Sequence, residues 1–232
     1  MNNNDTILLD HGAGGKVSHA MFSKLILPLF DNELLAKQDD GAVFEVPPGQ
    51  MAFSTDSYTV DPIFFPGGDI GELAVNGTVN DVAMCGATPL YISVGLIIEE
   101  GMKIVDLKRI LQSMAKAAKK AGVRIVTGDT KVVPRGKVDK IFINTSGIGS
   151  IPAGVNVSGN GARPGDKVIV SGTIADHGVT ILSEREGLKF DSDVKSDSAP
   201  LNHMVKRVLA VSYTHLRAHE TADVISYAVF CL

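Results

Sequence analysis

Residues 69–87 read DIGELAVNGTVNDVAMCGA, a stretch so rich in small residues that its conformation decides how the rest of the chain is arranged. Apolar residues at Ile70, Leu73, Ala74, Val82 and Ala83 suit one packed helix, in spite of Gly77 at its middle. The C-terminal half of that helix carries Asn80 and Asp81. Upstream, GAVFEV (41–46) and MAFST (51–55) read as two strands joined by the turn PPGQ into a hairpin. Downstream, YISVGLII (91–98) is a buried strand. KIVDLKRILQSMAKAAKKAG (103–122) is the clearest helix, burying Leu107, Ile110, Leu111, Met114, Ala118 and Ala121 and closed by Gly122. VRIVT, GDTKVV and KIFINTSGIGS follow as strand, loop and strand.

The ends of the chain are plainer. Residues 5–19 are loop-like, and 20–30 form a short amphipathic helix ended by Pro28. The Gly-, Pro- and Arg-bearing stretch GNGARPGD (159–166) interrupts the pattern and marks a domain boundary. Beyond it KVIVSG is a strand, DHGVTILSEREG a helix with Asp176 as N-cap and Gly187 just past its end, and SAPLNHMVKRVLA a second helix. The organisation is α+β, with domains expected at 1–160 and 161–210 and a separate tail at 211–232.

Composition excludes several classes of function. A net charge of -4 over 232 residues, with no dense basic block, argues against a nucleic-acid surface. A local basic cluster such as KAAKKAGVR sits at a helix end, where cations favour the dipole. No run approaches the roughly 18 apolar residues of a membrane span, and the N-terminal residues lack a secretion signal. The two cysteines, Cys85 and Cys231, make neither a disulfide framework nor a metal motif, which suits a reducing cytoplasm. The chain has 24 glycines, which crowd short loops between apolar strands, a pattern that suits a phosphorylated ligand held close to backbone.

Aspartates beside strands are the most informative chemistry: Asp39 and Asp40 in QDDGAV, Asp56 in AFSTDSY, Asp81 in VNDVAM and Asp129 in VTGDTKVV. Singly they are surface caps; together they suggest a site for a hard cation such as magnesium, which takes carboxylate and phosphate oxygens. HGAGGK (11–16) lacks the Walker spacing. It is either a donor-rich segment whose Gly12, Gly14 and Gly15 close over phosphates, with Lys16 offsetting charge, or an unstructured N-terminal piece. Lys131 is either a solvated loop lysine or a group that stabilises a transferred phosphoryl. His177 stands at a helix start, where amides attract anions, but a neutral histidine there is more often a capping or core residue. His215 and His219 have the i, i+4 spacing of helical zinc ligands without a third ligand, which reads as coincidence.

HGAGG (11–15), AFSTDSYTVDPIFFPGGDIGELAVNGTVNDVAMCGATP (52–89), IVTGDTKVVPRGKVDKIFINTSGIG (125–149) and VSGTIADHGVTILSEREGL (170–188), in this order, resemble the family of the hydrogenase maturation factor HypE. The resemblance runs from about residue 7 to about residue 210. More distantly, the aspartate series is similar to the ATP-binding superfamily of aminoimidazole ribonucleotide synthetase, selenophosphate synthetase and thiamine-monophosphate kinase. The resemblance implies a two-domain fold of the aminoimidazole ribonucleotide synthetase type, and a homodimer formed through the N-terminal sheet. The reaction it implies is ATP-dependent dehydration of a carbamoyl group on a C-terminal cysteine to a thiocyanate, the cyanide source for the iron of nickel-iron hydrogenase. The implied partners are the carbamoyltransferase HypF and the scaffold proteins HypC and HypD. Carried over by motif, Asp40, Asp56, Asp81 and Asp129 would hold magnesium, and Gly12, Gly14, Gly15, Thr55, Asn80 and Thr130 would contact ATP. Lys131 would act in the dehydration itself. The competing readings are another ATP-dependent enzyme of that superfamily acting on a small molecule, and a non-catalytic assembly scaffold.

After about Leu209 the resemblance stops. VSYTHLRAHETADVISYAVFCL holds none of the family's later motifs, including its Pro-Arg-Ile-Cys ending, and reads as a non-family tail on a truncated C-terminal domain. Leu201, Met204, Val205 and Val208 are then expected to lack part of their apolar cover. Cys231, flanked by Val229, Phe230 and Leu232, is expected not to be the acceptor thiol. Incubation with the carbamoyltransferase and its substrates should leave Cys231 unmodified by mass spectrometry; a carbamoyl adduct there would overturn that assignment.

Overall fold

The computed structural model describes residues 5–158, 164–187 and 193–210, and the backbone of 215–218 and 228–231. The expected boundary at 159–166 falls largely on residues outside that set. In chain order, helix α1 (Lys16–Met21) continues as a π turn (Phe22–Ile26) and a 3-10 turn (Leu27–Leu29) containing Pro28. Then come strand β1 (Met51–Tyr58), the two-residue strands β2 (Phe64–Phe65) and β3 (Gly68–Asp69), helix α2 (Ile70–Met84) and strand β4 (Thr88–Glu99). Helix α3 (Ile104–Ala121), β5 (Arg124–Val133) and β6 (Ile141–Ser150) complete the first part. The second part holds β7 (Val168–Val170), α4 (Asp176–Glu186), α5 (Asn202–Leu209), β8 (His215–Ala218) and β9 (Ala228–Cys231). No described helix is long and apolar enough to cross a membrane.

The hairpin expected over 41–55 does not form. Residues 41–46 pair with no strand, and Pro47 and Pro48 remove the next two backbone donors. β1 instead pairs antiparallel with β6 along its whole length, from Met51 opposite Ser150 to Tyr58 opposite Ile143. The sheet order is β1-β6-β4-β5, with β4 and β5 parallel across the α3 crossover. GDTKVV, expected as a loop, is the second half of the continuous strand β5. Alternation along β6 turns Ile141, Ile143 and Thr145 into the core and leaves the other face open, where Phe53 of β1 is 68% exposed and Ile97 of β4 41%.

Both α2 and α3 lie on the covered face, and α2 is buried on nearly every side. Asp69 caps it, accepting from the N–H groups of Gly71 (2.8 Å) and Glu72 (3.2 Å) and from the Ser113 hydroxyl of α3. Its small residues allow the burial: a Cβ on Gly71 would overlap the Ile110 carbonyl of α3, and one on Gly77 would overlap the Tyr58 hydroxyl of β1. Thr78 closes the helix–sheet contact through Thr145 of β6, at 2.5 Å between hydroxyl oxygens. Gly77 is thus a requirement of packing rather than a weakness.

The second part docks on α2 rather than standing apart. Val205 of α5 is buried against Ala83 and Met84, with Leu201, Met204 and Val208 around it. The C-terminal end of α2 covers Val205, while Leu201, Met204 and Val208 stay only partly buried. β7, β9 and β8 form a three-stranded antiparallel sheet in which the backbone of Cys231 pairs with Val168 and His215. His215 opens a strand rather than a helical turn; His219 lies outside the described residues. Asp176 is the first helical residue of α4 and not its cap, which is Ala175 at φ +72°; its carboxylate accepts from the Thr173 hydroxyl at 2.6 Å. Gly187 and Gly122 end their helices in the left-handed conformation, as the sequence predicts.

Replacing Gly77→Ala should destabilise the protein by about 2 kcal/mol or more, because a methyl must displace Tyr58 from a packed position. Chemical denaturation measures this, and pairing it with Tyr58→Phe, which removes the obstructing oxygen, should recover part of the loss.

Candidate functional site

A cavity of about 590 Å³ opens between the N-terminal segment and the β4, β5 and α3 layer. Its polar rim contains Gly12, Gly14, Gln38, Asp39, Gly41, Gly128, Asp129, Thr130 and Lys131, and its wall is apolar, with Phe22, Leu96 and Met114 among the lining groups. Each rim group has a local cause. Leu9–Gly12 form a 3-10 turn laid on β5, and Gly12 is required there, since a Cβ would overlap the Val132 amide. Gly14, at φ +77°, continues the turn, and its N–H donates to the Ser18 hydroxyl at 3.0 Å, which donates to the Asp10 carbonyl at 2.9 Å. HGAGG is therefore anchored on β5 at Gly12 and hydrogen-bonded at Gly14, with Ala13, Gly14 and Gly15 exposed.

Asp129 and Lys131 are exposed on β5, with Thr130 half-buried between them. Gly128 permits this arrangement, because a Cβ there would overlap the Val94 carbonyl across the strand pair. Asp40 lies between two residues of the rim, Asp39 and Gly41, without itself lining the cavity. Gly15, which caps α1, and Lys16 are not among the lining residues either. His11 and Ser18 line it, although sequence reasoning gave them no role; His11 belongs to the glycine-rich segment, and Ser18 follows it in α1 with no signal of its own. The His11 Nδ1 accepts from the Leu8 N–H at 3.0 Å, fixing the ring at the rim.

Asp56 and Asp81 form a second group near the other edge of the sheet. The Ser54 hydroxyl donates to Asp81 at 2.8 Å, and Asp56 follows two residues later on the same face of β1. Burial pushes the Asp81 carboxyl above the usual carboxylate range; the Ser54 hydrogen bond opposes this and the nearby Asp56 charge adds to it. Two intervening strands separate this pair from Asp129, so the chain does not gather the four aspartates at one place. Among the described residues, no group of three or more His, Cys, Asp or Glu side chains converges as a metal site. The pair alone fits magnesium in one way, as one or two carboxylates supplementing phosphate and water oxygens.

Thr55 and Asn80 are engaged elsewhere. The Thr55 hydroxyl donates to the Thr145 carbonyl at 3.1 Å and accepts from Ser146 at 2.8 Å. Asn80 is buried, donates to the Ala199 carbonyl at 3.0 Å and accepts the Leu201 N–H at 2.7 Å. It joins α2 to the 193–201 strap. His177 is a core residue: 4% exposed, it meets Ser196 Oγ at 3.0 Å and the edge of Phe65 at 5.1 Å between ring centroids. Burial lowers its pKa to about 4.

Residues 38–151 match the family model described as AIR synthase related protein, N-terminal domain. The chain is 54% identical over 204 residues to the carbamoyl dehydratase HypE of Cupriavidus necator, covering 88% of this chain and 58% of that protein. It thus spans less than two thirds of the curated relatives it matches. Among solved structures, it resembles the hydrogenase maturation protein HypE in complex with ATP at TM-score 0.89 and 58% identity, covering 92% of this chain and 64% of that one. It also resembles a chain of a HypE–HypF complex at TM-score 0.72 and 51% identity, over 86% and 65% of the two chains.

The His177 environment has a pH signature. The ring is neutral in both folded and unfolded chains above its ordinary pKa of 6.5. As pH falls from there towards 4, the unfolded chain takes up a proton that the folded chain refuses, so stability present at neutral pH declines by up to roughly 3 kcal/mol. Denaturation at pH 7 and pH 5 should show this decline, and His177→Gln should reduce its slope whatever its effect at pH 7.

Proposed function

The chain is a homologue of the HypE carbamoyl dehydratases, and we propose that it carries the nucleotide-binding part of the same chemistry. The reaction is ATP-dependent dehydration of a carbamoyl group held on a cysteine thiol, giving the thiocyanate that supplies cyanide to the iron of nickel-iron hydrogenase. The observation that carries this reading is the cavity rim, where the glycine-rich turn of 11–15 faces the Asp129–Thr130–Lys131 run of β5. That combination suits phosphates at a rim and a base against an apolar wall.

ATP, when bound, supplies the phosphoryl group that turns the carboxamide oxygen into a leaving group. Phosphate then departs with that oxygen as the C–O bond breaks, the nitrogen gives up its two protons, and the carbon–nitrogen triple bond forms. The chain's share is positioning and charge neutralisation, which account for most of the catalysis in phosphoryl transfer. Gly12 and Gly14 bring backbone close to phosphate oxygens, and Thr130 adds a hydroxyl donor. Lys131 offsets the charge developing on the transferred group and is the residue assigned a direct part in the dehydration. Asp56 and Asp81 would hold magnesium as a carboxylate pair, relieving their like charge, while Asp40 and Asp129, at or beside the cavity rim, would serve a separate cation there. Asn80 and Thr55 are better assigned to holding the fold.

The open sheet face bearing Phe53 and Ile97 suits a homodimer, since a second copy would cover its apolar residues. HypF is the proposed source of the carbamoyl group, in keeping with the HypE–HypF complex, and HypC and HypD are the proposed receivers of cyanide, all in the cytoplasm. Calorimetry with Mg-ATP should give saturable binding that Lys131→Ala and Asp81→Asn each weaken about tenfold or more. No binding by the unaltered chain would favour a scaffold without nucleotide chemistry.

A further inference from the structure

Residues 39–49 cross from the cavity rim towards β1 without a hydrogen bond to any other described residue. Their two ends are fixed. Upstream, Asn32 accepts the N–H groups of Leu34 and Leu35 at 3.1 Å each and donates to the Ile125 carbonyl of β5 at 3.0 Å. Downstream, Met51 enters β1. Between them only Ala42 and Phe44 are even half-buried, and Val43 is 81% exposed. The Phe44 ring lies on Tyr91 of β4, with centroids 4.3 Å apart and planes at 45°.

Tyr91 is itself braced. Its hydroxyl accepts from Arg124 at 2.9 Å, the guanidinium carbon sits 5.0 Å from its ring centroid, and Arg124 pairs with Glu33. Tyr91 and Arg124 are also register partners across β4 and β5, so the brace is built on the sheet. A braced ring on the sheet, met by a ring from a segment with no hydrogen bonds of its own, makes a pin. We propose that Phe44 and Tyr91 are positioning residues for the nucleotide: their contact sets where Gln38, Asp39 and Gly41 stand, and so sets one wall of the cavity. This rests on the nucleotide reading of that cavity.

Two measurements on the whole chain test it: the affinity for Mg-ATP, and the rate at which a glutamyl endopeptidase cleaves after the exposed Glu45. Phe44→Ala should speed that cleavage several-fold and weaken Mg-ATP about five- to tenfold. Phe44→Tyr should restore both, and Tyr91→Phe, which keeps the ring but loses the Arg124 hydrogen bond, should fall between Phe44→Ala and the unaltered protein. Unchanged Mg-ATP affinity in Phe44→Ala overturns the positioning role while leaving the nucleotide reading intact, and unchanged cleavage overturns the pin. Failure of the unaltered chain to bind Mg-ATP overturns the nucleotide reading and the positioning role with it, with cleavage after Glu45 still deciding the pin.

Discussion

The contact between Gly77 and the Tyr58 hydroxyl holds the arrangement together, because it lets α2 lie closer to the sheet than a helix with side chains on that face could. A helix this deeply placed has no solvent stripe, so its apolar residues are not confined to one face. It must satisfy its polar groups within the protein. Asp69 serves its N-terminus, Thr78 reaches Thr145 in the sheet, and Asn80 takes the strap that leads to α5. Stability, the sheet contact and the docking of the second part all pass through fifteen residues.

Much of this fold was legible in the sequence, and the misses share one cause. α2 and α3 were readable, and so were the glycines that end α3 and α4, because helical periodicity and left-handed glycine are local signals. The 41–55 hairpin was not, since GAVFEV alternates like a strand and nothing local says that β1 prefers β6 some ninety positions away. GDTKVV looked like a loop for the opposite reason: glycine and aspartate are poor strand formers, yet an edge strand whose neighbour crowds out any Cβ at Gly128 accepts them.

The candidate site divides in the same way. Gly12, Gly14, Asp129, Thr130 and Lys131 do meet at one cavity, although the motifs stand more than a hundred positions apart in the chain. Asp56 and Asp81 meet each other at a different place on the sheet, a separation that follows from strand order and is invisible to composition. Asn80 and His177 show the limit of reading polar residues as ligands. Both sit in motif-like stretches, and both are used by the protein on itself, one as a joint and the other as a core ring. A side chain's hydrogen bonds, more than its neighbours in sequence, decide whether it is available to a ligand.

The placing of Asn80 bears on chain length more than on composition. Along α2, Asp69 and Gly71 meet α3, Gly77 and Asp81 meet β1, and Asn80 meets the strap, so the helix is read in three directions at once. One inserted or deleted residue between Gly71 and Gly77 would rotate everything beyond it by about 100°, turning the glycine from the tyrosine and the amide from the strap together. Residues 45–49 are bound by no such register, so a change of length there would leave the fifteen residues of α2 in place.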